Sequence, residues 1–318
     1  MSPEEKLALV AAANRAPSVH NIQPARFRFA DERTIVLEED ARRRLFVGDP
    51  EGKDNAKSIG AALEGLVLAL SERGIGAHVD GRIVRFEGDA APDPMARFVE
   101  TRASYRGAFA PPSDGDHAAL ARIAERCPDL HIVEEPNAIA ALAGLFDDVS
   151  MEVLRAPAYR AELLSWMRLS ARHAAYARDG LNAAHMALSP IEAVGAGVVL
   201  GPTAFPALDA IGLAKPLIAE SAKVRSAAGV ALFHRATEEP ELETGRRLYR
   251  VWLEIEREGL ALCPMSVLAD VPQAASRLLS EARLSGRKLV TVFRIGRRAP
   301  NWRQPPRARL PARELIVG

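Results

Sequence analysis

Hydrophobic and polar positions alternate with two different periods along this chain, and the switches between them outline its elements. Residues 3–15 carry a helical pattern stopped by Pro17. RFRFADERTIVLEED (26–40) then alternates with period two and breaks at Ala30-Asp31-Glu32, which predicts a β-hairpin. Ser58 to Arg73 is apolar on more than one face, with Leu63, Leu66, Val67, Leu68 and Leu70, so it reads as a helix buried at the centre of a domain. Gly74 supplies its stop, and HVDGRIVRFEG (78–88) predicts a second hairpin turning at Asp80-Gly81. The polar, proline-bearing stretch 88–96 then suggests a boundary between two halves, 1–94 and 95–318.

Beyond it the pattern predicts a helix over 116–127, a strand over 130–134, a helix over 137–154 and a long helical region from 158 to 187. Residues 188–227 read as irregular. The uncharged run Ala193 to Leu208, broken by glycines and prolines, has the character of a loop that could cover a site, or equally of a packing loop. GVALFHRA (229–236) predicts a buried strand. A second central helix follows over 242–258, then a helix over 272–284, a strand over 288–296 and a proline-rich tail. The two central helices echo each other without gaps at an offset of 185: Gly60 with Gly245, Leu63 with Leu248, Leu68 with Leu253, Gly74 with Gly259.

Composition narrows the function classes. Of 318 residues, 48% are hydrophobic and 26% charged, and the net charge is +1 from 42 basic and 41 acidic side chains. That balance offers no basic excess for nucleic acid. No apolar run is long and unbroken enough for a bilayer span, and the early charges of the N-terminus do not fit a signal peptide, so the expectation is a cytoplasmic protein. The two cysteines, Cys127 and Cys263, lie far apart and outside any C-x-x-C pair, which fits a reducing compartment.

Three segments carry candidate chemistry. Ala16-Pro17-Ser18-Val19-His20-Asn21-Ile22-Gln23-Pro24 packs small hydrogen-bonding side chains between two prolines. Alone it is equally a turn that ends a helix. Arg102-Ala103-Ser104-Tyr105-Arg106 sets two guanidinium forks around a hydroxyl, a pattern able to grip a phosphate dianion, although a lone R-x-S-x-R also fits a solvated loop. Arg307-Ala308-Arg309 repeats the pairing in the tail.

Together, these segments resemble the nitroreductase family. The run at 16–24 is similar to its A-P-S-x-x-N-x-Q-P-W signature, Arg102–Arg106 to its R-x-S-x-R phosphate motif, and RARLP to its C-terminal basic pair. The likeness is strongest to the Acg-like branch, through His20, Asp49-Pro50-Glu51-Gly52-Lys53, Glu162–Trp166 and Asp179-Gly180. The resemblance implies an α+β nitroreductase fold whose two unequal halves are related by a pseudo-two-fold axis, with paired central helices and flanking antiparallel or mixed sheet. It implies FMN as cofactor, NAD(P)H and a small electron acceptor such as a nitroaromatic or quinone as partners, and no metal. One chain would form one site, as a monomer (a pseudo-dimer) or a homodimer. Arg102, Ser104, Arg106, Arg307 and Arg309 would take the FMN phosphate and ribityl chain. Pro17, Ser18 and Asn21, with Gln23 in the same run, would approach from the other half, and Pro264, Met265 and Ser266 would lie along the ring.

The flavin would carry the hydride chemistry, so no catalytic acid or nucleophile is expected. The sequence departs from the family at Ala25, where a Trp is usual, and at Ser266, where an acid is usual. Those departures leave an alternative, a non-catalytic protein that stores or sequesters FMN beneath a lid. His20 reads either as a substrate-side proton donor or as a hydrogen-bonded structural histidine, and Cys263 as a packed small hydrophobe.

Overall fold

A computed structural model describes all residues, 1–318. The first part of the chain runs α1 (Pro3–Ala13), β1 (Ala25–Phe29), β2 (Thr34–Glu39), α2 (Lys53–Ser71), β3 (Ile75–Asp80) and β4 (Ile83–Asp89). Both expected hairpins are present, with Gly81 at φ +56 in the second. The Asp49 carboxylate caps the start of α2 by accepting from the Asn55 amide at 2.8 Å.

The remainder runs α3 (Asp114–Arg126), β5 (Leu130–Val133), α4 (Pro136–Leu154), α5 (Pro157–Trp166), β6 (Met167–Arg168), β7 (Leu181–Asn182), α6 (Pro190–Val199), α7 (Ala204–Ala210), α8 (Ala214–Ile218) and α9 (Ser221–Arg225). It continues with β8 (Gly229–Ala236), α10 (Glu241–Arg257), β9 (Ala261–Pro264), α11 (Val267–Asp270), α12 (Pro272–Glu281), β10 (Arg287–Gly296) and β11 (Ile316–Val317).

Two stretches differ from the sequence expectation. The helix expected to continue to 187 ends at Trp166, and tertiary contacts replace helical ones from there. Asp179 accepts from Arg168 at 2.9 Å and from Arg43 at 2.6 Å, which ties the 168–182 loop to the first half of the chain. Conversely, residues 188–227 hold four short helices. The first is begun by a Ser189–Glu192 capping box with Pro190 at its first helical position.

Two sheets organise the α+β architecture. The first has strand order β11-β1-β2-β4-β3, antiparallel except for β11 beside β1, so the C-terminal tail returns to complete the N-terminal sheet. The second has order β5-β8-β10-β9, antiparallel throughout, with apolar layers on both faces. Between them α2 and α10 cross at backbone contact. A Cβ on Gly60 would lie 2.0 Å from the Leu242 carbonyl oxygen, and one on Gly245 would lie 2.0 Å from that of Lys57. Only a residue without a side chain allows that approach. Beside the crossing, buried Glu64 pairs with Arg246 at 2.9 Å and Arg250 at 2.6 Å.

Cys127 and Cys263 are both buried and unpaired. Burial pushes the Cys127 thiol up to about 11, and Cys263 is packed within β9. No single helix is long and apolar enough to cross a membrane.

Candidate functional site

A cleft of about 330 Å³ opens beside the α2–α10 crossing, within the range of small-molecule pockets. Ten of the twelve expected site residues line it: Pro17, Ser18 and Asn21 from the first segment; Arg102, Ser104 and Arg106 from the second; Arg307 and Arg309 from the tail; Pro264 and Ser266 from the end of β9 and the residues after it. One chain therefore assembles the cleft from segments nearly 300 residues apart in sequence.

The Pro17–Gln23 turn is strained. His20, Asn21 and Gln23 all have positive φ, at 42, 55 and 51 degrees. Such backbone persists only where surroundings over-determine it, and they do here. The Val19 amide donates to Ser58 Oγ at 3.0 Å, and the Gln23 amide to Ser18 Oγ at 3.0 Å. The Asn21 amide group donates to the Gly180 and Ala308 carbonyls at 3.2 and 3.1 Å. Arg309 closes the turn onto the tail by donating to Asn21 Oδ1 at 2.6 Å.

Gln23 and Met265 are not among the lining residues. The Gln23 side chain is buried and spends its bonds on Asn14, Leu310 and Arg178, pinning the tail to the turn. Met265 points into the apolar layer beneath the second sheet.

The Arg102–Arg106 loop is held by the second sheet. The Tyr105 amide donates to the Leu262 carbonyl at 2.9 Å, and Ser104 bridges the same residue of β9. Arg102 lies 4.7 Å over the Trp252 ring and donates to the Arg15 carbonyl at 2.7 Å. Arg307 donates to the carbonyls of Val99 and Arg102, and Arg309 to those of Asn14 and Ala16. Arg106 is the least tethered, with one long contact to the His185 carbonyl at 3.4 Å.

None of these four guanidiniums pairs with a carboxylate, although most arginines elsewhere in the molecule do. Burial, then repulsion from Arg102, brings Arg309 down to about 9 and Arg307 to about 10. Two neutral histidines flank the cluster. Burial, then Arg106, lowers His20 to about 4; burial, then Arg309, does the same to His185. Uncompensated buried cations are costly unless an anion joins them. Three buried nitrogens on the cleft wall, His20 Nδ1, Arg102 Nε and Trp252 Nε1, also lack any partner. The cleft is thus built for a ligand with a polyanionic end and further acceptors.

Several lining residues escaped the sequence reading, chiefly Asp54, Lys57, Ser58, His185 and Trp252. None of them left a local signal: Lys57 directly precedes the apolar stretch of a central helix, and Lys53 one turn earlier makes it unexceptional. Residues 193–208 fold as α6 and part of α7, pack on α4 and α5, and contribute nothing to the cleft wall.

No protein-family model matches the chain, and no curated protein matches it. Among solved structures, the FMN-dependent nitroreductase NfnB from Mycobacterium smegmatis in complex with NADPH overlaps 64% of this chain and 86% of its own, at 17% identity and a TM-score of 0.36. The FMN and NADPH-dependent nitroreductase NfnB from sphigopyxis sp. strain HMH overlaps 67% and 94%, at 17% identity and a TM-score of 0.37. The chain is similar to FMN-dependent nitroreductases over about two thirds of its length.

Proposed function

We propose that this protein is a nitroreductase-like flavoprotein that binds FMN in the cleft and passes electrons from NAD(P)H to a small electrophile such as a nitroaromatic or quinone. The observation that carries the reading is the meeting of four carboxylate-free arginines with the Pro17–Asn21 turn in one cleft. In this reading Arg102, Arg106, Arg307 and Arg309 hold the phosphate, with Ser104 beside them. Pro17, Ser18 and Asn21 approach the ring or ribityl chain from the facing wall, and Pro264 and Ser266 lie along the ring. FMN would supply the hydride-accepting chemistry, and the protein contributes binding, orientation and exclusion of water. Residues 1–94 and 95–318 form the two unequal halves, with α2 and α10 as their related helices.

The storage alternative rests on the departures at Ala25 and Ser266 and on a lid over the flavin; the run that suggested the lid, 193–208, does not line the cleft. The deciding experiment is a visible spectrum of aerobically purified protein followed by anaerobic mixing with NADPH. A flavin band that bleaches rapidly supports the oxidoreductase. A band that stays oxidised supports storage, and a colourless protein unable to take up FMN removes both.

A further inference from the structure

Lys57 and Asp54 enter the cleft from α2, one turn apart, with Nζ and Oδ1 at 2.7 Å and side chains only 14% and 19% exposed. Burial disfavours the Lys57 ammonium, but the acidic side chains of Asp54, Glu241 and Asp270 outweigh it and hold its pKa above the ordinary value. His20 lines the same cleft, and the charges of Arg106 and Asp54 act on its ring in opposite senses. Burial, then the nearby Asp54 charge, pushes the Asp270 carboxyl well above the usual carboxylate range.

A largely buried ion pair repays its desolvation only when its remaining hydrogen-bonding capacity is used. Here it is not used within the protein. Lys57 has no partner besides Asp54, and the second carboxylate oxygen of Asp54 accepts from nothing. The cleft wall therefore offers a charged donor next to a charged acceptor. The complementary ligand group is planar and neutral, with one accepting oxygen and one N–H. A carboxylate lacks the N–H and would be repelled by Asp54, and a ketone fills half of the site.

We propose that Asp54 and Lys57 form a subsite for a primary carboxamide, the group carried by a nicotinamide, with Lys57 donating to its oxygen and Asp54 accepting from its nitrogen. This rests on the reading that the cleft holds FMN, since the nicotinamide would enter beside the flavin. It would select the reductant.

FMN-loaded protein titrated with nicotinamide, nicotinate and 3-acetylpyridine, followed by perturbation of the flavin absorbance, tests this without turnover. Nicotinamide should bind about tenfold or more tightly than either comparator, the worth of one charge-assisted hydrogen bond. Lys57→Met and Asp54→Leu, each compared with unaltered protein at equal flavin loading, should erase that preference. Nicotinate binding as tightly as nicotinamide, acetylpyridine matching it, or variants that keep the preference would overturn the subsite. The comparison among the three probes in unaltered protein decides the matter even if a variant fails to fold. Unaltered protein that takes up no FMN defeats the flavin reading itself, a different outcome from flavin bound without carboxamide preference.

Discussion

Gly60 of α2 and Gly245 of α10 each face the backbone of the other helix, so that a methyl group at either would sit 2.0 Å from a carbonyl oxygen. The two glycines are also the matched positions of the internal echo at offset 185. A repeat signal in the sequence thus corresponds to the contact that sets the distance between the central helices, and with it the width of the cleft beside them. Neither carbonyl can move without displacing a helix. Gly60→Ala and Gly245→Ala should each cost about 3 kcal/mol or more by overpacking, read as a lower urea midpoint. A loss below about 1 kcal/mol would mean the crossing is looser than the structure describes.

Arg106 separates ligand binding from stability better than its neighbours do. Arg102, Arg307 and Arg309 are each bonded to backbone carbonyls that their removal would orphan, whereas Arg106 has only its 3.4 Å contact. Arg106→Ala should weaken FMN binding by about ten- to a hundredfold, the range of a lost charged hydrogen bond, with little change in Tm. FMN titration by fluorescence and a thermal melt of the same variant check both halves of the statement.

Protonation of the cleft histidines sets an acid limit. His20 and His185 each fall from an ordinary 6.5 to about 4, so between those values the unfolded chain binds protons that the folded chain does not. Stability is therefore held above pH 6.5 and lost as pH falls through 4. On going from pH 7 to pH 5 the loss should be about 2 kcal/mol per ring. His20→Asn keeps a residue tolerant of positive φ and should flatten this limb, as read from urea unfolding at the two pH values. An unchanged slope in that variant would show that His20 is solvated.

The tail serves the fold and the ligand at once. It contributes Arg307 and Arg309 to the cleft, the carbonyl of Ala308 to Asn21, and β11 to the first sheet. A chain ending at Gln304 should lose FMN retention and also fray the edge of β1, giving a lower Tm together with faster amide exchange across Phe27 and Arg28. Retention of both FMN and edge protection would contradict this double role.

Sequence periodicity captured the elements whose pattern is local. The two N-terminal hairpins, α3, α4 and the strands β8 and β10 fall close to where alternation and turn residues put them. It failed where the deciding contacts are distant. Nothing local between 167 and 187 reveals that Asp179 binds Arg43 and Arg168, or that Gly180 accepts from Asn21. At 188–227, Ser189-Pro190 with Glu192 spells a helix start that the later glycines and prolines obscure. For the cleft, short segments rich in Arg, Ser and Asn were legible because their spacing is unusual. Asp54 and Lys57 were not, because only the burial of α2 makes a charged pair on it meaningful.

In the proposed function the carboxylate-free arginines hold the phosphate of a flavin. Parallel titrations of flavin-stripped protein with FMN and with riboflavin, which lacks only the phosphate, address it most directly. The account predicts that FMN binds at least about a hundredfold more tightly, since several charged hydrogen bonds go to that group. Equal affinity for the two flavins, or binding of neither, would contradict it.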